Sequence, residues 1–470
     1  MIGCPSELWE TFHRHCTIQR NLDTEVEPTV DPNVRSDRVD DLFSETETLS
    51  RYIEVEVSLA RAQADLGLIP ERAAQAIAEH VTVDRIDRER FREDFALIGF
   101  PIVGLVRQIS EIVPDGLGQY AHWGATTQDI MDTGLVLALR DVGRWIDTAL
   151  QSTIDDIAAI AKEHSDTLTI GRSQLQHAVP VTFGYKVAGW LVALRRHQER
   201  LEELRPRLLQ VQFGGAVGTM AAVHPHGRDV RRALARDLEL GDPVISWHTH
   251  RDSLCEFVTF LGLLTGTLAK IATDIMMLAQ TEVGEVREPA TSGRGISSTM
   301  PHKRNPVLSQ QIIVAARLVR PLLASMLEVM VQDHERGSAT WQAEWTLVPN
   351  ATSHAVCALE RMQELIAGLE IDSERMQENL GISGQFVYAE SVMMALAPKL
   401  GRQKAHDLIE SVIDGVRDGK LFLDSLLQSS EISTILSESD LREIFDGGTS
   451  ILAASKIVDD VLAEPDSGSA

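Results

Sequence analysis

An all-α fold is predicted by three observations. Stretches with apolar residues at helical spacing recur along the chain, and one of them, the proline-free run Asp252 to Glu288, would span about 55 Å as a helix. Aromatic residues are only 5% of the chain while Leu, Ala, Ile and Val are frequent, a balance that leans helical. No strand-rich domain, internal repeat or low-complexity block interrupts the pattern.

Taken in order, residues 1–42 are polar and acidic with Pro28 and Pro32, and read as an N-terminal extension. Residues 43–134 form a helical domain. It opens with a periodic run from Phe43 that Gly67 and Pro70 terminate. Residues 135–370 carry the long helices: Leu135 to His164, Val181 to Phe213 with Pro206 near its end, Asp252 to Glu288, Val307 to His334 with Pro321 as a kink, and Ala351 to Leu369. Residues 371–470 read as a small domain of short helices with an acidic Pro/Ser/Gly tail. Thr259 to Leu278 is apolar on nearly all faces, so that helix must be surrounded by others. One chain cannot easily surround several such rods, which implies association through a shared bundle.

Lys plus Arg total 44 against 69 Asp plus Glu, a formal charge of −25. Such a chain is a poor binder of nucleic acid or anionic membrane. An anionic substrate would need a local basic pocket, for which Lys303 and Arg304 are candidates. Cys4, Cys16, Cys255 and Cys357 show no metal-site spacing and read as reduced thiols. The pairs His224/His226 and His248/His250 lack a helical metal-ligand spacing, so neither a metal nor another cofactor is expected. Residues 1–20 contain no apolar targeting core, and Phe257 to Ala269 is too short to span a bilayer, so the expected location is the cytoplasm.

Four segments carry chemistry. Ser292 to Arg304 holds two glycines, paired serines and a proline and reads as a mobile loop, and Asn305-Pro306 reads as a helix start with Asn as the cap. Hydroxyls, an imidazole and cations at the positive end of a helix suit an organic anion, although an ordinary surface turn has the same composition. His122-Trp-Gly-Ala-Thr-Thr-Gln-Asp129 precedes the first long helix; Thr126, Thr127 and Gln128 can bond a carboxylate, or Thr127 or Asp129 can simply cap that helix. Gly171-Arg-Ser-Gln-Leu-Gln-His177 and the glycine-rich turn Gln212 to Thr219 complete the set. Each histidine alone reads equally well as structural.

The string Ser297-Ser-Thr-Met-Pro-His-Lys-Arg-Asn-Pro306 resembles the signature loop of the fumarase/aspartase superfamily, Ser-Ser-x-Met-Pro-x-Lys-x-Asn-Pro. The resemblance spans roughly residues 43–460. Within the superfamily it is nearest to bacterial 3-carboxy-cis,cis-muconate cycloisomerases, through Tyr120 to Asp129, Trp247-His-Thr-His-Arg-Asp252, Gln280 to Glu285, His334 to Gly337 and Ala389 to Pro398. It implies three helical segments, with a central long-helix bundle that forms a twenty-helix core in a homotetramer, and active sites shared between chains. It implies that loop 288–304 is catalytic, that Ser297 is the base, and that Ser298, Met300, Lys303 and Asn305 contact substrate. Thr126, Thr127 and Gln128 match a carboxylate-binding loop, and Arg172, Ser173, Gln174 and Gln212 match further substrate-binding positions. Two departures stand out. Ile296 replaces the usual glycine before the serines. Gln174 replaces a histidine tied to proton transfer in the fumarase and adenylosuccinate lyase branches, which leaves His122 and His177 as candidates for that role.

Where the Ser-Ala-Glu-Arg segment of adenylosuccinate lyase pairs its Arg with the nucleotide, this chain has Gln342-Ala-Glu-Trp345, and Trp cannot pair with a phosphate. The expected substrate is therefore a small di- or tricarboxylate. The leading expectation is a β-elimination lyase that acts on an amino- or nitro-succinate and releases fumarate. The alternative is 3-carboxy-cis,cis-muconate cycloisomerisation. Adenylosuccinate lyase activity ranks lower because Trp345 stands in place of that Arg, and an inactive crystallin-like role ranks lower because the site residues are retained.

Overall fold

The computed structural model describes residues 32–290, 294–300, 302–416 and 421–464. Most of the N-terminal extension, with Cys4 and Cys16, lies outside the described residues, as do Ser292 and Pro301 of the loop. Residues Val34–Ala470 belong to one unit.

The first helices are α1 (Asp37–Leu42), α2 (Glu45–Asp65), α3 (Glu71–His80), α4 (Arg88–Ile98) and α5 (Pro101–Ile112). The long helix α6 (Thr127–Glu163) starts earlier than Leu135 because Thr126 and Asp129 close its first turn: the Asp129 carboxylate accepts the Thr126 N–H at 3.0 Å. A β-hairpin follows, β1 (Leu168–Ser173) and β2 (Gln176–Thr182), where the sequence predicted no strand; its last two residues, Val181 and Thr182, were expected to open the next helix. Then come α7 (Phe183–Leu208), α8 (Gly227–Asp237) and α9 (Asp252–Leu278). Helix α9 ends ten residues before the expected Glu288 and is about 40 Å long. The chain turns there as Gln280 O accepts the N–H groups of Val283 and Gly284 at 2.9 and 2.7 Å, with Gly284 at φ 65°.

A two-residue strand β3 (Val286–Arg287) leads to α10 (Val307–Val329), α11 (Trp341–Ala367) and β4 (Glu370–Ile371), which pairs antiparallel with β3. Helix α11 begins before its expected start at Ala351 and runs through Pro349; α10 runs through Pro321. Among the described residues, seven short helices follow: α12 (Ser373–Leu380), α13 (Ala389–Leu400), α14 (Arg402–Gly415), α15 (Phe422–Gln428), α16 (Ser430–Ser433), α17 (Glu438–Phe445) and α18 (Gly448–Ala463).

Helices α6, α7, α9, α10 and α11 pack as a bundle around one apolar core. Its polarity is set by a buried cluster. Arg251, just before α9, is fully buried and donates to Asp132 in α6 at 2.8 and 2.9 Å and to Glu344 in α11 at 2.5 to 3.2 Å, with Trp247 stacked 4.9 Å away. Helices α6, α9 and α11 therefore all start at this end, and α7 and α10 run the other way. Helices α2 to α5 do not hold a core by themselves. They share it with Val211, Phe213, Trp341 and, from α8, Val230 and Leu234. Cys255 and Cys357 are buried. Helix α9 is long and apolar enough to cross a membrane, but most of it is buried in the bundle. On the single chain Leu263 and Met277 of α9 and Val314 and Leu318 of α10 stay exposed.

Candidate active site

The segment before α6 is built around a carboxylate that the sequence did not reveal. Glu56 of α2 is fully buried and spends both oxygens on His122, accepting from Nδ1 at 2.6 Å and from the backbone N–H at 3.0 Å. This holds His122 at φ 58°, a left-handed conformation that a non-glycine residue adopts at a cost. Burial alone would push the imidazole down, but the charge and hydrogen bond of Glu56, with Asp129 nearby, outweigh it and hold His122 above its ordinary value. Trp123 is 42% exposed beside it, and its carbonyl accepts from Gln63 at 2.6 Å.

Thr126 and Thr127 are partly exposed at the start of α6, so both can meet a ligand. Gln128 cannot do so as placed. It is fully buried, donates to His248 O at 2.8 Å and accepts from Arg336 at 3.0 Å. Below it, Asp129 accepts from the N–H groups of Gly214 and Gly215 (both 2.9 Å) and from His248 Nε2 (2.7 Å). The glycine-rich turn thus points its donors at a carboxylate of the same chain. Gln212 is also fully buried, its Oε1 accepting from Ser246 and Trp247 at 3.0 and 3.1 Å. It supports the turn and does not face solvent.

At the other end of α6, the β1–β2 hairpin turns through Gln174 and Leu175 at φ 52° and 60°, both left-handed. Such a two-residue turn favours Asn-Gly, so the pair here is strained. Gln174 and Ser173 are exposed at the tip. Arg172 is committed inside the chain: it pairs with the buried Glu285 at 2.5 and 3.0 Å, and Glu285 also accepts from Asn379 at 2.7 Å and Thr169 at 3.2 Å. His177 lies opposite Arg172 and contacts Ser383 Oγ at 3.4 Å; burial and the Arg172 charge hold it below its ordinary value, against Glu285.

The loop after β3 is tied at its base. Gly295 O accepts from the Asn305 N–H at 3.0 Å and from its side-chain amide at 3.1 Å. Gly295 sits at φ 69°, and a Cβ there would meet Asn305 O at 2.6 Å. Asn305 is therefore neither the cap of α10 nor fully available to a carboxylate. The cap is Glu288, which accepts from the N–H groups of Leu308 (3.0 Å) and Ser309 (2.8 Å) and from Ser309 Oγ (2.6 Å). The positive end of α10, expected to hold a substrate anion, is thus filled by a side chain of the protein. Ser297 Oγ accepts the N–H groups of Thr299 (3.3 Å) and Met300 (3.0 Å). Ser298, Met300 and Lys303 are exposed; the Lys303 N–H bonds Met300 O at 3.0 Å, and its side chain makes no ion pair or hydrogen bond among the described residues.

These segments do not meet in one chain. No hydrogen bond or ion pair among the described residues joins 122–129, 171–177 and 294–305. The first set lies at the start of α6 and the other two near its far end, about 55 Å away along the helix. A cleft of about 330 Å³ beside the loop is lined by Glu288, His302 and Asn305 but by no residue of the other two segments.

A lyase family model matches residues 31–320, and one described as the adenylosuccinate lyase C-terminus matches residues 385–461. The chain belongs to the fumarase/aspartase superfamily of lyases. Among superfamily relatives, it is 42% identical to a 3-carboxy-cis,cis-muconate cycloisomerase of Pseudomonas aeruginosa, over 90% of this chain and 93% of that one. It is 41% identical to trans-aconitate decarboxylase 1 of Mycosarcoma maydis, over 91% and 87%. The crystal structure of a fumarate lyase from Mesorhizobium sp. BNC1 superposes with a TM-score of 0.86 at 42% identity, covering 93% of this chain and all of that one.

Proposed function

We propose that this superfamily member is a β-elimination lyase of a small substituted succinate, with Ser297 as the base. The observation that carries the reading is the pair of N–H groups aimed at Ser297 Oγ. Two backbone donors stabilise an oxyanion there, and without such help serine is too weak a base to take a proton from carbon. Lys303, whose side chain has no partner among the described residues, adds a cation close by in sequence. The Ser297 alkoxide takes the hydrogen next to a substrate carboxylate, and the C–H electron pair enters that carboxylate as an aci-carboxylate dianion. Collapse of the dianion forms fumarate as the β-substituent leaves.

The same carbanion serves lactonisation. Identity to the Pseudomonas aeruginosa cycloisomerase favours 3-carboxy-cis,cis-muconate as the second reading. Decarboxylation, the activity in the name of the Mycosarcoma maydis relative, also leaves an electron pair on carbon, by loss of CO2 in place of a proton. Trp341 and Trp345 pack edge-to-face at 5.0 Å with Phe100 and Phe95 around them, so apolar surface occupies the segment that would receive a nucleotide. This supports a substrate without one.

The separation of the segments along α6 means that a complete site takes them from different chains. The exposed apolar faces of α9 and α10 supply a contact surface for the homotetramer. The experiment is incubation with amino-, nitro- and thio-substituted succinates, following fumarate absorbance, and with carboxymuconate in parallel. Ser297→Ala should lower kcat by at least about 1,000-fold with the oligomer intact. Turnover of carboxymuconate alone would reverse the ranking, and wild-type rates in Ser297→Ala would remove the base.

A further inference from the structure

With Gln174 where a titratable histidine was expected, the site needs another source for a proton at the leaving group. The hairpin offers His177, but it is held below its ordinary value and its Nδ1 makes only a 3.4 Å contact to Ser383. The segment before α6 offers a better-built group. Glu56 lies in the interior of α2, has no Arg or Lys partner among the described residues, and is devoted to His122 through both oxygens. The bond to Nδ1 fixes that nitrogen as a donor and leaves Nε2 as the working atom. Nε2 makes no hydrogen bond among the described residues, and the side chain is 19% exposed. The left-handed backbone of His122 and the positive φ of Gly124 turn this short stretch back toward Thr126. Strain of this kind persists where the surroundings impose it.

We propose that Glu56 and His122 form the proton-delivering dyad of the site, with His122 Nε2 as the acid and Glu56 as its positioning residue. The proposal rests on the Ser297 reading. The step balances without a co-reactant. As the aci-carboxylate pair forms the Cα–Cβ double bond, the bond from Cβ to the leaving atom breaks with its electrons on that atom. The leaving atom takes the Nε2 proton, and His122 becomes neutral with Nδ1–H still on Glu56. The proton gained by Ser297 and the one lost by His122 are exchanged with solvent. The charged groups facing the ring are Glu56 from α2 and Asp129 from the start of α6.

The test is the pH profile of kcat for the assembled wild-type enzyme and for Glu56→Gln, Glu56→Asp and His122→Asn, using a succinate whose leaving group must be protonated. The wild-type profile should fall on an alkaline limb set by His122. Glu56→Gln should move that limb to lower pH and reduce kcat about 100-fold, with KM changed less than about threefold. Glu56→Asp should recover part of the loss. With nitrosuccinate, whose nitrite leaves as a stable anion, the loss in Glu56→Gln should be much smaller than with the substrate whose leaving group must be protonated. A loss confined to KM would make His122 a carboxylate ligand and overturn the proposal, as would an unmoved alkaline limb. Because Glu56 is buried, His122→Asn serves as the second variant if Glu56→Gln fails to assemble. Histidine-labelled NMR titration of the wild-type protein reads His122 without turnover, and titration at or below the ordinary histidine value would also overturn it. If Ser297→Ala is inactive while His122→Asn keeps its kcat, the dyad fails and the base stands. If Ser297→Ala stays active, the base reading itself has failed.

Discussion

Two histidines give opposite pH signatures. His197 in α7 is buried and pushed down to about 4, first by burial and then by Arg200 and Arg196. Arg200 faces its Nδ1 at 3.4 Å while Nε2 bonds Thr267 at 2.8 Å, an arrangement that suits the neutral ring. The unfolded chain takes up this proton near pH 6.5 and the folded chain only near 4, so stability falls as pH drops through that window, by about 3 kcal/mol in full. His122 is raised, so its contribution is complete below about pH 6.5 and is lost as pH climbs through the folded value. Denaturant unfolding at pH 7 and pH 5 should show His197→Gln to be less acid-sensitive than wild type. Equal acid losses in the two proteins would contradict this. At this scale the sequence was most informative where a motif is contiguous: Ser297, Lys303, Thr126 and Thr127 are all exposed or partly so. It was silent on Glu56, and it did not tell what Glu285 and Arg251 hold, because the partners of all three lie far along the chain. It also cast Gln128, Arg172 and Gln212 as ligands, because a motif position does not say whether a side chain turns inward.

The start of α10 shows the same limit for an element. Asn-Pro is a good cap by composition, yet Asn305 is drawn back to Gly295 and Glu288 supplies the acceptor. Only the closure of the 288–305 loop brings that carboxylate to the helix end. Glu288→Ala should cost about 1 kcal/mol of stability and loosen the loop, lowering kcat while the other long helices stay intact. A melting temperature and kcat both unchanged would show that the cap carries no weight. The hairpin was missed for a local reason. Its turn lacks the Asn-Gly signal, and β2 contains Pro180, so nothing in the period-2 pattern announced it. The long helices were legible from periodicity. Their ends were not, since Thr126 with Asp129 and Gln280 with Gly284 set them through hydrogen bonds.

For the whole molecule, the parts of the proposed site stand at opposite ends of one bundle. Ser297→Ala and Thr126→Val should each be inactive alone. Mixing the two under conditions that allow subunit exchange should restore activity to about a quarter of the sites if the two segments come from different chains. No recovery would mean that one chain supplies both. The all-helical class was legible in the helical periodicity, and the expectation of partner chains came from the apolar girth of α9, while the positions of the ends required the Arg251 cluster. Helix α6 has Thr126 at its head and the Gln174 hairpin past its tail, so in such an assembly a single stiff strut reaches into two different pockets. Tightening around substrate at one terminus then leans on the geometry at the other, neighbouring pockets fill as linked vessels, and initial-rate curves should depart from a simple hyperbola.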